Sequence, residues 1–283
     1  MRGLVGLVVV SGLVVMSAGA DAKARRTPAK SQKATKAGKA GKASKGKASI
    51  SQRPQRAQRS TRAARISAIR EHDRERVEIR AFAHGQSIGA PWAGRLQHPT
   101  LLPSGDGYVI RRPERAFGTE TTIELIERAI GETFDEYPDE HVLAIGDISA
   151  ETGGLITQHR SHQSGRDVDV GLFYTEQPAE YPNSFVTATA DNLDCAATFK
   201  LLESFLATTN EDGGVLMIFL DFDVQGLLYA WAQDHGISER RLARIFQYPH
   251  GRGSSEGLVR HVANHDNHMH VRFKCPADDT SCQ

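Results

Sequence analysis

The sequence is short of cysteine, short of long apolar runs and, over one stretch, devoid of acid, and each scarcity excludes something. Three cysteines in 283 residues, Cys195, Cys275 and Cys282, cannot build a disulfide framework, although they suit an oxidising compartment. The one long apolar run, Gly3 to Met16, falls below the about 20 residues that a membrane span requires, so no integral membrane protein is expected. Residues 22 to 70 contain no Asp or Glu but 16 Lys or Arg, whereas residues 71 to 283 hold 18 basic against 33 acidic side chains. The formal net charge of +1 therefore sums a basic tail and an acidic body of net −15. With 39% hydrophobic residues overall, the body can bury a core.

Arg2, the apolar run and small-residue cleavage options at Ala18-Gly19-Ala20 and Ala20-Asp21-Ala22 make residues 1–22 a secretory signal, with an uncleaved N-terminal anchor as the rival reading. Export across the inner membrane places the protein in the periplasm or outside the cell. Residues 23–70 carry Lys-Ala-Gly quasi-repeats such as Lys36-Ala-Gly-Lys39-Ala-Gly-Lys42, with almost nothing apolar to bury. They read as a disordered cationic tether. Behind a signal peptide its expected counterions are anionic envelope polymers, not nucleic acid, and a solvated linker without a specific partner is the plainer alternative.

The folded body spans residues 80–283. Thr119 or Thr121 can cap a helix carrying Ile123, Ile126, Ile130 and Phe134 at helical spacing, and a strand follows at Val142 to Ile145. Gly153-Gly154 marks a turn. Strict alternation in Asp167-Val168-Asp169-Val170 predicts a strand with both carboxylates on one face. A helix at Cys195 to Leu206, a buried strand at Val215 to Leu220, helices at Gln225 to Asp234 and Glu239 to Phe246, and a last strand at His268 to Phe273 complete an irregular interleaving. The fold class is α+β.

Five of the twelve histidines fall in two short clusters, His159 to Asp169 and His265 to Phe273. Two imidazoles and a carboxylate that leave a fourth position open are the arrangement of a hydrolytic zinc centre, since the metal lowers the pKa of water to roughly 7. On the last strand His268, His270 and Arg272 share one face while Met269, Val271 and Phe273 share the other. One of the two histidines can be a ligand and the other a base. Asp167 either points at the site or orients a ligand. Asp221 and Asp223 fit a strand end or helix cap, and His141, His235, His250 and His261 read as ordinary polar residues. Cys275 and Cys282 flank the turn-rich Pro276-Ala277-Asp278-Asp279 and form the natural pair, leaving Cys195 as a small buried hydrophobe.

His162-x-x-Gly165-x-x-x-Asp169 followed by His268-x-His270 resembles the LAS group of zinc peptidases, which includes D-alanyl-D-alanine peptidases and lysostaphin-like enzymes. The fuller pattern, Ser161-His162-Gln163-x-Gly165-x-Asp167-Val168-Asp169 with His265-Asp266-x-His268-Met269-His270-Val271-Arg272, is similar to the penicillin-insensitive murein endopeptidases. The Cys275 to Cys282 segment matches that family's closing disulfide loop. The likeness covers residues 85–283 and departs in having only three cysteines and a long basic tether. It implies a single zinc-peptidase domain, with a small antiparallel sheet flanked by helices. Zn2+ would be held by His162, Asp169 and His270, with His268 as base or proton shuttle and His265 assisting. His159 would support the site or bind a second metal. The implied substrate is the D-alanyl to meso-diaminopimelyl cross-link of peptidoglycan, cleaved without an acyl-enzyme. Arg160, Arg166 and Arg272 are candidates for holding its carboxylates.

Two other readings compete. Gly253-Ser254-Ser255-Glu256-Gly257 formally matches the G-x-S-x-G elbow of serine hydrolases, with Asp266 and His268 following in order, although no apolar strand precedes it. The chain could also be a zinc-stabilised wall-binding module without turnover.

Overall fold

The computed structural model describes residues 84–283; the signal segment, the basic tether and residues 80–83 lie outside the described residues. Fourteen strands and helices follow in chain order: β1 (Gln86–Ala90), β2 (Ala93–Gln97), β3 (Thr100–Leu101), β4 (Tyr108–Ile110), β5 (Phe117–Gly118), α1 (Glu120–Glu136), β6 (Leu143–Ile145), β7 (Asp167–Gly171), α2 (Cys195–Ala207), β8 (Val215–Phe219), α3 (Phe222–Asp234), α4 (Glu239–Ile245), β9 (Val259–Arg260) and β10 (His268–Phe273). Six strands form one sheet in the order β4-β6-β7-β10-β8-β9. Its centre is antiparallel, as expected, but the β4–β6 and β8–β9 pairs at its two edges are parallel.

Capping fixes where the helices begin. Thr119, not Thr121, caps α1, its hydroxyl accepting the Thr122 N–H at 3.2 Å. Asp194 caps α2 through Ala197 N at 2.9 Å, and Asp221 caps α3 through Asp223 N at 2.8 Å. Each such cap is worth about 1 kcal/mol. Asp221 is thereby explained as a cap, and Asp223 pairs with Arg252 at the surface.

The helices cover one face of the sheet. Ile123, Ile126 and Ile130 of α1, Leu201 and Phe205 of α2, and Val168, Val170, Met269, Val271 and Phe273 of the central strands all belong to one buried core. Each large side chain there contributes about 1.5–3 kcal/mol. The strand at β8 departs from expectation: Leu216 is 41% exposed because the pairing with β10 shifts between Arg272 and Phe273, which leaves it as the extra, unpaired residue between the buried Val215 and Ile218. The opposite sheet face carries the polar residues of β7 and β10.

The β1–β2 hairpin has no counterpart in the sequence reading. Its glycines and alanines give no alternation of apolar and polar residues. The chain end secures it: Ser87 N donates to Asp279 Oδ2 at 2.8 Å and Gly89 exchanges backbone bonds with Ser281 and Gln283. Cys275 and Cys282 are disulfide-bonded and Cys195 is free, so the pairing read from the sequence is present. Among the described residues no helix is long and apolar enough to cross a membrane.

Candidate metal centre

Strand alternation and register together assemble the site. On β10 the side chains of Met269, Val271 and Phe273 are buried in the core, which turns His268, His270 and Arg272 to the other face. On β7 the same alternation buries Val168 and Val170 and turns out Asp167 and Asp169. The antiparallel register sets His270 directly opposite Asp169, and Arg272 opposite Asp167. His162 arrives from the preceding loop with φ 62, a left-handed conformation that costs a non-glycine residue of order 1–3 kcal/mol. Asp167 offsets that strain by accepting the His162 N–H at 2.9 Å. Gly165, at φ +71, completes the turn, and a Cβ there would lie 2.8 Å from Leu96.

Three ligand-type atoms converge. His162 Nε2, Asp169 Oδ1 and His270 Nδ1 stand 3.2 Å from one another on all three sides. Donors held at 2.0–2.1 Å around a tetrahedral zinc lie about 3.3–3.4 Å apart, so this triangle has the dimensions of one face of such a site. His162 Nδ1 lies 3.1 Å from the Ile148 carbonyl, which as acceptor keeps the proton on Nδ1 and the lone pair of Nε2 toward the site. Asp169 Oδ1 is buried and makes no hydrogen bond, although two imidazole nitrogens face it. An orphaned carboxylate oxygen turned toward two ring nitrogens is what a bound cation would satisfy, and N/N/O donors suit zinc.

Asp167 is the hub behind the triangle. Its Oδ1 lies 3.1 Å from His270 Nε2 and accepts from Arg272 Nε at 2.7 Å. Asp167 thus orients both histidines instead of joining the triangle. Burial opposes the charged carboxylate of Asp167, but His270, His162 and Arg272 outweigh it and hold the group well below the usual range. Asp169 is likewise held well below, burial being outweighed by His162, His270 and His268. Burial alone would lower the pKa of His270, yet Asp167 and Asp169 push it up to about 9.

His268 stands beside the triangle. Its Nε2 is 3.6 Å from Asp169 Oδ1, and its Nδ1 lies 2.6 Å from Asn267 Oδ1, which leaves Nε2 as the free acceptor. Phe185 stacks on the ring at 4.8 Å and 11°. Burial, only partly opposed by Asp169, lowers the pKa of His268 to about 4, so the ring is neutral near pH 7. The His265 ring lies 4.8 Å from that of His268, its pKa also lowered by burial. His159 keeps its Nε2 on Asp147 Oδ2 at 2.9 Å and lies 3.8 Å from Asp169 Oδ2. With His162 and Asp169 it forms a second group able to hold a metal, the three ligand atoms all within 4.8 Å of one another.

The arginines divide. Arg166 is a correction to the sequence reading: it is 2% exposed, and its guanidinium is committed to Ser87 Oγ, the Phe273 carbonyl and the Gln283 carbonyl. It ties the hairpin, the end of β10 and the chain terminus together and cannot reach a substrate. Arg272 lies on the site face with its guanidinium carbon 5.1 Å from the Phe219 ring and 5.8 Å from that of Trp92. Arg160 is exposed on the loop. The serine-hydrolase alternative also fails: Gly253-Ser254-Ser255-Glu256-Gly257 follows a 3₁₀ turn at Tyr248–His250 and leads into β9, not from a strand into a helix.

Several groups at the site escaped the sequence reading. Asp147, wholly buried after β6, is held by Arg112 Nε at 2.7 Å and Arg115 Nη1 at 3.1 Å besides His159. Burial opposes its charge, but these partners keep its pKa below the usual value. A carboxylate between Ile145-Gly146 and Ile148, just past an apolar strand, is the signal that could have found it. Arg111 and Phe185 had no such signal, since they come from separate loops.

Comparison with known proteins follows the same residues. The model of the penicillin-insensitive murein endopeptidase family matches residues 87–201, the stretch holding His159, His162 and Asp169. Curated proteins of that name are similar over more of the chain. The one from Yersinia pestis is 28% identical over 213 residues, covering 72% of this chain and 68% of the relative. That from Salmonella heidelberg (strain SL476) is 28% identical over 219 residues, 72% and 69% of the two chains. The Pectobacterium atrosepticum protein is 29% identical over 214 residues, 72% and 67%. The likeness read from the two histidine clusters thus extends over residues 87–201 in the family model and over 72% of the chain in these proteins, and the chain is similar to the penicillin-insensitive murein endopeptidases.

Proposed function

We propose that this chain is a zinc-dependent murein endopeptidase that hydrolyses the D-alanyl to meso-diaminopimelyl cross-link of peptidoglycan. The observation that carries the metal assignment is the 3.2 Å triangle of His162 Nε2, Asp169 Oδ1 and His270 Nδ1, whose carboxylate corner is a buried oxygen without a hydrogen-bond partner. These three residues would hold zinc; His159, engaged by Asp147, supports the site and does not need a second metal. When bound, zinc supplies activation of water near neutral pH and polarisation of the scissile carbonyl.

The chain's own residues supply the rest. His268, neutral and with a free Nε2, takes the proton of the attacking water and passes it to the leaving amine. His265 lies behind it and tunes that transfer. Asp167 fixes His270 from its outer nitrogen and His162 from its backbone, so both rings keep one orientation throughout. Arg272, gripped by Asp167 and flanked by Phe219 and Trp92, offers its guanidinium to a substrate carboxylate, and the exposed Arg160 is the second candidate. A reaction run on water leaves β-lactams no serine to acylate.

The signal-like leader and the proposed wall substrate both support a periplasmic or extracellular location, where anionic envelope polymers would be the counterions of the basic tether. The test is digestion of purified cross-linked muropeptide dimers, with products identified by mass. Monomers should form, should vanish on treatment with a chelator and should return with zinc. Binding of dimers without cleavage by zinc-loaded protein would instead establish a wall-binding module.

A further inference from the structure

To carry a proton at the triangle, His268 must have its ring plane fixed as well as its position. The torsion between Cβ and an imidazole ring has broad minima, so the side chain's own geometry sets that plane poorly. The contact of His268 Nδ1 with Asn267 Oδ1 at 2.6 Å decides which edge of the ring carries the free Nε2. It leaves the tilt of the ring open. The tilt is set by Phe185, whose ring lies 4.8 Å from that of His268 with 11° between the planes. Near-parallel rings at that spacing form an offset stack, a favoured arrangement of aromatic pairs.

Phe185 is held in turn. The guanidinium carbon of Arg111 stands 4.4 Å from the centroid of the Phe185 ring. A guanidinium and an imidazole this close to one centroid cannot share a face, so the phenyl ring is clamped between them. A cation over an aromatic face is attracted by the ring quadrupole. Arg111 is tied down by its backbone N–H, which donates to the Ile145 carbonyl at 2.9 Å, and by Nε, which donates to the Asn183 carbonyl at 3.1 Å.

The segment that carries Phe185 is anchored on both sides. Ser184 N donates to the Glu180 carbonyl at 2.9 Å, and the Tyr174 hydroxyl donates to the Val186 carbonyl. Gly146 admits the ring, since a Cβ there would lie 2.9 Å from both Phe185 Cζ and Asp169 Cβ. The end of β4, this segment and the start of β10 thus meet in one stack beside the triangle.

We propose that Phe185, clamped by Arg111, is a positioning residue that fixes the plane of the His268 ring and keeps Nε2 aimed at the attacking water. The inference rests on the proposed role of His268 as proton carrier. A phenyl ring has no group that could take the proton, and Arg111 lies on the face of that ring turned away from His268. Both residues therefore act only through His268, and removing either costs less than removing His268 itself.

The test follows kinetics of the zinc-loaded full-length protein on cross-linked muropeptide dimers. Phe185→Leu, which keeps apolar bulk but no flat face, should lower kcat about 10-fold with little change in KM, a fraction of the about 100-fold that a 1 Å misplacement can cost. Arg111→Gln should give a smaller loss in the same direction, and Arg111→Lys should recover part of it. In a His268→Ala background Phe185→Leu should cost nothing further, because no imidazole is left to orient. An equal loss in both backgrounds, or a loss confined to KM, would overturn the proposal in favour of a packing or substrate-contact role. Proton spectra of the metal-free full-length protein give a readout apart from turnover. The carbon-bound ring protons of His268, identified by their loss in His268→Ala, should lie upfield of those of free histidine under the Phe185 ring current and move back in Phe185→Leu. Unshifted protons in the wild-type chain overturn the stack without need of a variant. An upfield shift in a wild-type protein that cleaves no dimer would sink the endopeptidase reading, and the positioning role with it. Full kcat in a folded Phe185→Leu protein would sink the positioning role alone.

Discussion

Replacing His268 and His270 one at a time should separate metal holding from proton transfer, because the two side chains occupy different places around the same carboxylate oxygen. His270 Nδ1 forms one corner of the 3.2 Å triangle, while His268 Nε2 stands outside it at 3.6 Å from Asp169 Oδ1. His268→Ala leaves all three corners and the Asp167 hub intact, so zinc should remain near one per chain. Turnover should nonetheless fall roughly 10²- to 10⁴-fold, the usual worth of a positioned acid or base. His270→Ala leaves only His162 and Asp169, so zinc and activity should fall together. It also removes the buried cation between Asp167 and Asp169, and leaving such charges unpaired costs about 3–5 kcal/mol. His270→Gln, which keeps polar atoms in that space, is therefore measured beside it, with melting curves for both. His265→Ala should cost less than His268→Ala, since His265 only adjoins that ring. The assay is metal content by mass spectrometry with endopeptidase rates on muropeptide dimers. Zinc loss in His268→Ala with retention in folded His270→Gln would reverse the assignment, and retention in all variants would refute the triangle as the metal site.

Further outcomes follow from the same geometry. Because the pKa of His270 rises to about 9 in the metal-free protein, loading zinc at pH 7.5 should release about one proton, a release that fades above about pH 10; calorimetry in buffers of different ionisation enthalpy reads it, and no release at pH 7.5 would contradict the His270 Nδ1 ligand. In the same metal-free protein the raised His270 pKa contributes stability that is complete below about pH 6.5 and lost as pH climbs through 9, so the melting temperature should drop over that interval. Replacing both Cys275 and Cys282 by serine should lower stability by about 2–3 kcal/mol in the chain-entropy account of a short loop, measured by urea unfolding, with an unchanged midpoint as the contrary result. Deleting residues 23–65 should spare turnover on small soluble muropeptides but weaken binding to whole sacculi in a salt-dependent way, and equal binding of both forms at low salt would argue against a role for the tether.

What the sequence disclosed and what it concealed follow from the range of the forces involved. The two site strands were legible because alternation is local: each carries its core residues and its polar residues in a period of two, and any strand built from them must sort them to opposite faces. The helix capped by Thr119 was legible for the same reason, with a two-residue ambiguity that the Thr122 N–H resolved. Asp147 and its arginines were not legible, since Arg112, Arg115 and His159 meet it from distant positions and no spacing records a buried ion cluster. Arg166 was misread for a related reason. A charged residue inside a catalytic motif suggests a ligand contact, but its partners are backbone carbonyls at Phe273 and Gln283, which no residue type announces.

Register links the legible and the concealed parts. Alternation alone puts His270 and Asp169 on polar faces, but only the β7–β10 pairing sets them opposite each other. A slip of one residue would turn every side chain of β10 over, burying His268, His270 and Arg272 against α1 and α2 while exposing Met269, Val271 and Phe273. The core therefore enforces the site: burial of three large apolar residues, worth about 1.5–3 kcal/mol each, makes the slipped pairing inaccessible. A slip of two residues keeps the faces but sets Arg272 or His268 opposite Asp169 instead. Against that alternative the apolar pattern gives no protection, and the discrimination falls to Asp167. It meets both Arg272 Nε at 2.7 Å and His270 Nε2 at 3.1 Å only in the observed register, while holding the His162 N–H of its own segment at 2.9 Å. A carboxylate that touches no substrate thus fixes which histidine completes the triangle, which is why the pair Asp167 and Asp169 must lie two residues apart on one strand.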